Sequence, residues 1–527
     1  MFPSIFNDVL GPIMRGPSSS HCAAALRLGW LARDLAAGDV EEVTVSFDQN
    51  GSLATTHESQ GSDMGLFAGI LGWDAVDERL PESIRTIRDS GVKIEIVTGD
   101  FGFDHPNTYR IAVGARWQRH VLTGISTGGG MIEITEIDGI PLSLFGDYWE
   151  TLIWIAGQPG DAASRLAARI GVDDIVLHPS ADGVLLQVKA QRFIEDPEIA
   201  ECCSDGDVRC VRRLRPVLPV RSRRGISVPF STCEQMLRLD DGRNLPPWEL
   251  AVQYESQRGN LSGDAVIDRA IQIVQILRAS VKQGISGTTY RDRILGHQCG
   301  RFQTRMQEGS LLDGGLLNHI VLNVTALMEV KSAMGVIVAA PTAGSCAALP
   351  GTCLAVADVL DLTDEEAAKA MLAGGLIGLL VAFKSTFAAE VCGCQAECGV
   401  ASGMTAAALV SVARGGVRQA TDAASMAFQS CLGMICDPVA NRVEVPCLGK
   451  NVMAASNALA CANMALAGYD PVIPLDEVIE TMDRVGRSLP RELRCTALGG
   501  LSVTKTSKDI ESRLGQPDPQ GHHDSPQ

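Results

Sequence analysis

Hydrophobic and polar positions change their period along the chain. Up to about residue 145 helix-like and strand-like stretches alternate. An Ala/Leu-rich run over 21–36 follows three serines, Ser18, Ser19 and Ser20, which offer hydroxyl N-caps, and Ala37-Gly38 ends it. Residues 43–47 alternate with the period of a strand, and Asn50-Gly51 predicts a two-residue hairpin turn into a second strand over 53–56. Residues 92–97 and 131–137 read as further strands, the latter after the glycine run Gly128, Gly129, Gly130. The pattern predicts an α+β domain over residues 1–146.

Residues 147–220 carry six short elements: strand 151–155, helix 161–170, strands 174–177 and 183–188, helix 193–202, and an extended stretch over 208–220. This βαββαβ order is that of the ferredoxin-like split unit, shared by small effector-binding ACT domains and by many unrelated modules. A basic run at 221–225 reads as a solvated linker. Over 245–512 the period becomes helical, with Ala-rich segments at 265–282, 316–332, 364–383, 403–414 and 451–467, so a largely all-α domain is expected there. The tail 513–527, rich in Pro and His, is expected to be disordered.

Composition narrows the function classes. Of 527 residues, 46% are hydrophobic and 20% charged, the balance of a folded chain. A net charge of −17 argues against nucleic acid or an anionic membrane as partner. The longest apolar run, 370–383, has 14 residues, too short to span a bilayer and suited to a buried helix. The first fifteen residues show no secretory pattern, so a cytoplasmic, reducing setting is expected. There, 16 cysteines imply buried small hydrophobes, reactive thiols or metal ligands rather than disulfides.

Ten of those 16 lie from Cys346 onward, and Cys394, Cys436 and Cys447 sit beside Gly or Pro, where loops aim side chains at one point. Structural zinc takes four ligands, and no paired CxxC pattern exists around Cys394; iron–sulfur clusters accept dispersed cysteines, and three leave one iron open. Ordinary buried thiols are the competing reading. Other candidates also have two readings. Ser18, Ser19, Ser20 and His21 form a capped helix start or a carboxylate site reached by His21. Thr342, Gly344 and Ser345 form a turn or a second carboxylate cradle. His105 is a structural hydrogen-bonder or an acid–base group. Lys450 and Asn451 hold a carboxylate or open a helix.

Seven segments carry a resemblance. They are Gly11-Pro12-Ile13-Met14-Arg15-Gly16-Pro17-Ser18-Ser19-Ser20-His21, Asp104-His105-Pro106-Asn107-Thr108, Ser126-Thr127-Gly128-Gly129-Gly130, Ala339-Ala340-Pro341-Thr342-Ala343-Gly344-Ser345-Cys346, Gly393-Cys394-Gln395-Ala396-Glu397, Cys436-Asp437-Pro438 with Val445-Pro446-Cys447, and Leu498-Gly499-Gly500-Leu501-Ser502-Val503. In this order the chain resembles the iron–sulfur-dependent L-serine dehydratase (L-serine ammonia-lyase) family, in a single-chain form with the β-type domain first and the α-type domain second. The resemblance implies a [4Fe–4S] cluster on Cys394, Cys436 and Cys447, no pyridoxal phosphate, and conversion of L-serine to pyruvate and ammonia. It implies substrate-binding roles for Ser18, Ser19, Ser20, Thr342, Gly344, Ser345, Lys450 and Asn451, and acid–base roles for His21 and His105. Cys346, Cys392 and Cys398 would line the site, and the remaining ten cysteines would pack as small hydrophobes. The expected partner is a small β-hydroxy amino acid, with no nucleic acid or membrane, and the expected assembly is a homo-oligomer, a dimer.

Two departures stand out. Where the family usually shows Gly-His-Gly-Thr-Asp, this chain has Ser59-Gln60-Gly61-Ser62-Asp63, so the expected histidine is Gln60 and His57 is the candidate substitute. No cysteine follows Cys495, so a C-terminal cysteine that gates the open iron in some members is expected to be absent. Gln60 also leaves room for another β-substituted amino or hydroxy acid as substrate. A non-catalytic amino-acid sensor using the ACT-like region, and a thiol-redox protein, are the readings from other classes.

Overall fold

The structure, a computed structural model, describes residues 2–115, 118–203 and 207–514, so the expected disordered tail lies outside the described residues from 515 onward. Residues 513 and 514 end a helix, Lys505–Leu514.

The first region folds into a six-stranded sheet in the order Lys93–Gly99, Glu42–Asp48, Thr108–Ala115, Gln118–Gly128, Met131–Ile137, Ile140–Leu144. The first pair is parallel and the others antiparallel. Strands fall where alternation predicts them, but the hairpin does not form. Asn50-Gly51 turns into a short helix, Leu53–Thr56, and the strand before it pairs with Lys93–Gly99 and Thr108–Ala115 instead. The cause is Asp48, whose carboxylate accepts the N–H groups of Asn50, Phe101 and Phe103 and so ties the turn to a distant loop. Helices Ala24–Ala36 and Ser62–Leu71 share one core with this sheet. They cross backbone to backbone: a Cβ on Gly65 would lie 2.0 Å from the Cys22 carbonyl oxygen, and one on Gly69 2.2 Å from that of Leu26.

The middle region has the predicted βαββαβ order. Its four-stranded antiparallel sheet runs Asp207–Leu214, Trp149–Ala156, Gly183–Ala190, Asp174–Ser180, the ferredoxin-like arrangement, with helices Ala162–Ile170 and Asp196–Cys202 closing a separate small core. The basic run after it is less free than a solvated linker. Buried Arg258 donates to the Arg221 carbonyl and the Ser222 hydroxyl, pinning the connection to the helical region.

The helical region begins earlier than its periodicity suggests, at Cys233–Asp240, and its long helices include Gly263–Ser286, Leu316–Ser332, Cys398–Val412 and Cys447–Leu466. The apolar run lies in Asp364–Lys384, long and apolar enough to cross a membrane by composition, but 78% of that window is buried in the fold. Residues near the N-terminus belong here too. Ser4 Oγ and the Ile5 N–H donate to Glu255 at 2.5 and 2.8 Å, Asn7 exchanges two hydrogen bonds with Val220, and Ile13–Met14 pairs antiparallel with Ile337–Val338. This strap locks the first region against the last.

The helix crossing gives a direct test. Gly69→Ala is expected to destabilise the protein by about 1–3 kcal/mol through overpacking, read as a lower urea midpoint. Gly296→Ala, where a Cβ meets nothing within 4 Å, is expected to leave that midpoint unchanged.

Candidate active site at the seam

Two turns from opposite ends of the chain meet at the seam. Ser18 caps the first: its hydroxyl accepts the His21 N–H, and Ser19–Ala23 winds into the Ala24–Ala36 helix. The second turn, Ala343–Ser345, is capped by Thr342, whose hydroxyl accepts the Ser345 N–H and donates to Glu397 at 2.7 Å. The Ala343 N–H donates to Ser19 Oγ at 3.1 Å, so the two carboxylate cradles read from the sequence are one assembly. Ser18, Ser19, Ser20, Thr342, Gly344 and Ser345 are all buried in it.

The cysteines gather beside this assembly. Gly393, at φ 70°, turns the chain out of the short Ala389–Cys392 helix so that Cys394 opens the next turn; such a φ favours glycine. Cys436 lies in a loop bridged to Arg494, and Cys447 opens the Cys447–Leu466 helix. Cys394, Cys436 and Cys447 all act electrostatically on Lys450. Burial alone would depress that ammonium, but the three sulfurs and Asp437 outweigh it and hold Lys450 above its ordinary range. The Cys398 thiol donates to Cys394, which lowers Cys394, while burial pushes Cys447 up to about 12.

The donor set, three buried thiols, is compatible with an iron–sulfur cluster. Among the described residues, the only His/Cys/Asp/Glu trio with ligand atoms within 4.8 Å of one another is His297, Cys299 and Glu329, which includes none of these thiols. In that trio Glu329 accepts the N–H groups of Gln298 and Cys299 and so caps a helix. Cys394, Cys436 and Cys447 offer three thiols to one region, and thiolate is the natural ligand of an iron–sulfur core.

The other sequence candidates divide. Cys398 lines the site, whereas Cys392 faces Asp483 and Cys346 follows the second turn into the helical core. Cys495 corrects the sequence reading: it does not merely pack, because its thiol adjoins Cys436 and its N–H bonds the Cys436 carbonyl. Gln60 donates to Asn441 at 3.0 Å and reaches Cys495 at 3.5 Å, so the residue in the histidine's place is held toward the cysteine loops. His57 instead bonds Asp63 at 2.8 Å and stacks on Phe47; burial opposes its charge, but Asp63 prevails and raises its pKa. His105 accepts the Asn107 N–H within its own loop, and burial lowers it. His21 is fully buried, which pushes it down to about 3.

Lys450 bonds the Ile435 carbonyl and Asp437 at 2.7 and 2.9 Å. Asn451 accepts from the Ala347 and Ala348 N–H groups and donates to the Gly344 and Cys447 carbonyls. Its polar atoms are thus engaged in bracing the second turn against the Cys447 helix. Sequence reasoning did not single out Glu390 or Glu397, although Glu390 stands in an otherwise apolar string, 387–392, where an ionisable side chain is itself a signal.

Comparison with known proteins bears on this site. The family profile "Serine dehydratase alpha chain" matches residues 242–502. The chain is 35% identical over 285 residues to the probable L-serine dehydratase alpha chain of Bacillus subtilis (strain 168), covering 54% of this chain and 95% of that one. It is 31% identical over 282 residues to the L-serine dehydratase alpha chain of Peptoniphilus asaccharolyticus, covering 53% and 97%. The probable beta chain of the same B. subtilis strain is 41% identical over 202 residues, covering 37% of this chain and 90% of that one.

The bracing role of Asn451 is testable. Asn451→Ala removes four hydrogen bonds within the buried site, and a loss of roughly 2–4 kcal/mol is expected, read as a lower thermal midpoint. An unchanged midpoint with a raised KM would make it a substrate ligand instead.

Proposed function

The chain belongs to the serine dehydratase family, and on that premise we propose that it converts L-serine to pyruvate and ammonia with a [4Fe–4S] cluster held by Cys394, Cys436 and Cys447. The observation that carries this reading is the meeting of those buried thiols with the 18–21 and 342–345 turns at one seam. When bound, a cluster held by three cysteines supplies a Lewis-acidic iron with an open position.

The chain's own residues supply the rest. The hydroxyls and N–H groups of the two turns suit the substrate carboxylate, since helix starts favour anions. Lys450 balances the charge of the three sulfurs and is steered by Asp437, so its part is to hold the cysteine loops in register. Gly344 keeps space free beside Glu397: a Cβ there would lie 2.8 Å from Oε1. Burial of the seam excludes water and strengthens each electrostatic contact. Loss of water from serine leaves an enamine, which hydrolyses to the keto acid and ammonia. A cytoplasmic homodimer acting on a small β-hydroxy amino acid belongs to the same proposal.

A second reading keeps the fold and cluster but changes the substrate to another β-substituted amino acid. It is favoured by Gln60, a neutral amide held against Cys495 where the family shows a base.

Anaerobic purification tests both. The protein is expected to carry about four irons and four sulfides per chain and to lose colour and turnover together in air. Cys436→Ser is expected to lose most of the iron, whereas Cys353→Ser, buried in the helical core, keeps it. A colourless, fully active protein would overturn the cluster. Faster turnover of a β-thiol or longer β-hydroxy amino acid than of serine would establish the second reading.

A further inference from the structure

Two of the sequence motifs, Asp104 to Thr108 and Ser126 to Gly130, find no use in the cradle or among the cysteines. The structure brings both to one residue that neither contains. A Cβ on Gly128 would lie 2.6 Å from the Ala388 nitrogen, and Thr386 Oγ1 donates to the Thr127 carbonyl at 2.9 Å. The glycine run thus lets the sheet's loop approach the segment that carries Glu390. From the other motif, Asn107 accepts the Ser126 N–H on its carbonyl and turns its amide toward the Glu390 carboxyl without closing a well-formed hydrogen bond.

Around this point several buried polar atoms have no well-formed hydrogen bond. They are Glu390 Oε2, both amide atoms of Asn107 and the Ser126 hydroxyl. Asn107 and Ser126 are fully buried, and the Glu390 side chain is 3% exposed. Leaving such groups unsatisfied costs about 1–3 kcal/mol each, so a cluster of them is a place prepared for a polar guest.

The hydrogen-bond chain through His21 fixes what Glu390 faces. Thr56 spends its one hydroxyl proton on the Ser52 carbonyl at 2.7 Å, so at its 2.8 Å contact with His21 it accepts. His21 therefore carries its proton on Nε2, and Nδ1 presents a lone pair. That lone pair takes the Ser18 hydroxyl at 3.1 Å and stands 3.5 Å from Glu390 Oε1. With that lone pair occupied, neutral His21 does not neutralise the Glu390 anion. This leaves Oε2, the unpartnered oxygen, as the free proton acceptor at the seam.

We propose that Glu390 takes the substrate's α-proton on Oε2, and that Asn107 and Ser126 accept hydrogen bonds from the substrate's ammonium group. This rests on the reading of the chain as an L-serine dehydratase. In the step, the Cα–H bond breaks and its proton passes to Oε2. The electron pair becomes the Cα=Cβ bond, and the Cβ–O bond breaks with hydroxide leaving. The proton returns from Glu390 to that hydroxide as water, and the carboxylate is restored. His21 takes no proton in this scheme: its Nδ1 accepts the Ser18 hydroxyl and only stands beside Oε1.

The electrostatics agree. Burial first, then the nearby Glu397, raises Glu390 to about 7, while Asn107 acts to lower it. His21, Asn107 and Glu397 are the groups that face it, and Tyr109 feels its charge. The base is the ionised form, so kcat/KM is expected to rise with pH through about 7.

The test uses anaerobically prepared holoenzyme. Glu390→Gln is expected to retain iron, sulfide and thermal midpoint while kcat falls about 10²–10⁴-fold, with Glu390→Asp recovering part of it. Exchange of the serine α-hydrogen with deuterated solvent is expected to vanish in Glu390→Gln. Asn107→Ala is expected to raise KM and to move the rising pH limb upward, which a purely structural residue would not do. Parent-like turnover and exchange in iron-loaded Glu390→Gln would overturn this inference and leave the serine dehydratase reading intact. A parent protein that binds no iron and does not turn over serine would overturn that reading itself.

Discussion

Ionisable groups survive in a dry seam only as neutral forms or as members of a balanced set, and this constraint organises the centre of the molecule. Lys450 sits among Cys394, Cys436, Cys447 and Asp437, where its charge is offset from several sides. Glu397 is capped by Thr342 and held above its ordinary range by burial. His21 stays uncharged, with its one ring proton given to Thr56 and Nδ1 accepting from Ser18. A net charge of −17 on the whole chain offers an anionic substrate no long-range attraction, so any attraction is made locally by helix starts and the seam's few cations.

What the sequence made legible follows the range of the forces involved. The strand Met131–Ile137 and the helix Leu316–Ser332 lie where periodicity places them, because one buried face writes itself into local spacing. The βαββαβ order was readable for the same reason. Asn50-Gly51 misled because a distant loop, held by Asp48, outbid local turn preference. Cys394, Cys436 and Cys447 stand out in the sequence by their Gly and Pro neighbours, whereas Cys495 looks like any buried thiol until the chain's return beside Cys436 gives it a place. Glu390 was hidden more deeply. Its surroundings come from segments more than 250 residues away in sequence, at Asn107 and Gly128, and no local pattern encodes such a meeting.

The B. subtilis alpha and beta chains are separate relatives of the two ends of this single chain. In this chain the ferredoxin-like module is followed by a connection that Arg258 pins to the helical region. The strap formed by residues 4–14 makes the joining more than a tether. It threads the start of the first region into the core of the last, so that the cradle is built by tertiary packing as well as by covalent continuity.

That strap also sets a clock. Ile13 pairs with Val338, 325 residues later in the chain. At a synthesis rate of roughly 5–20 residues per second, the strap waits roughly 15–65 s for its partner strand to emerge. During that interval its buried side chains, Ile5, Phe6, Val9 and Leu10, have no core to enter. The feature that secures the finished seam therefore leaves the nascent chain with an adhesive segment, and makes the time before residue 338 emerges the period in which this protein most needs protection from its neighbours.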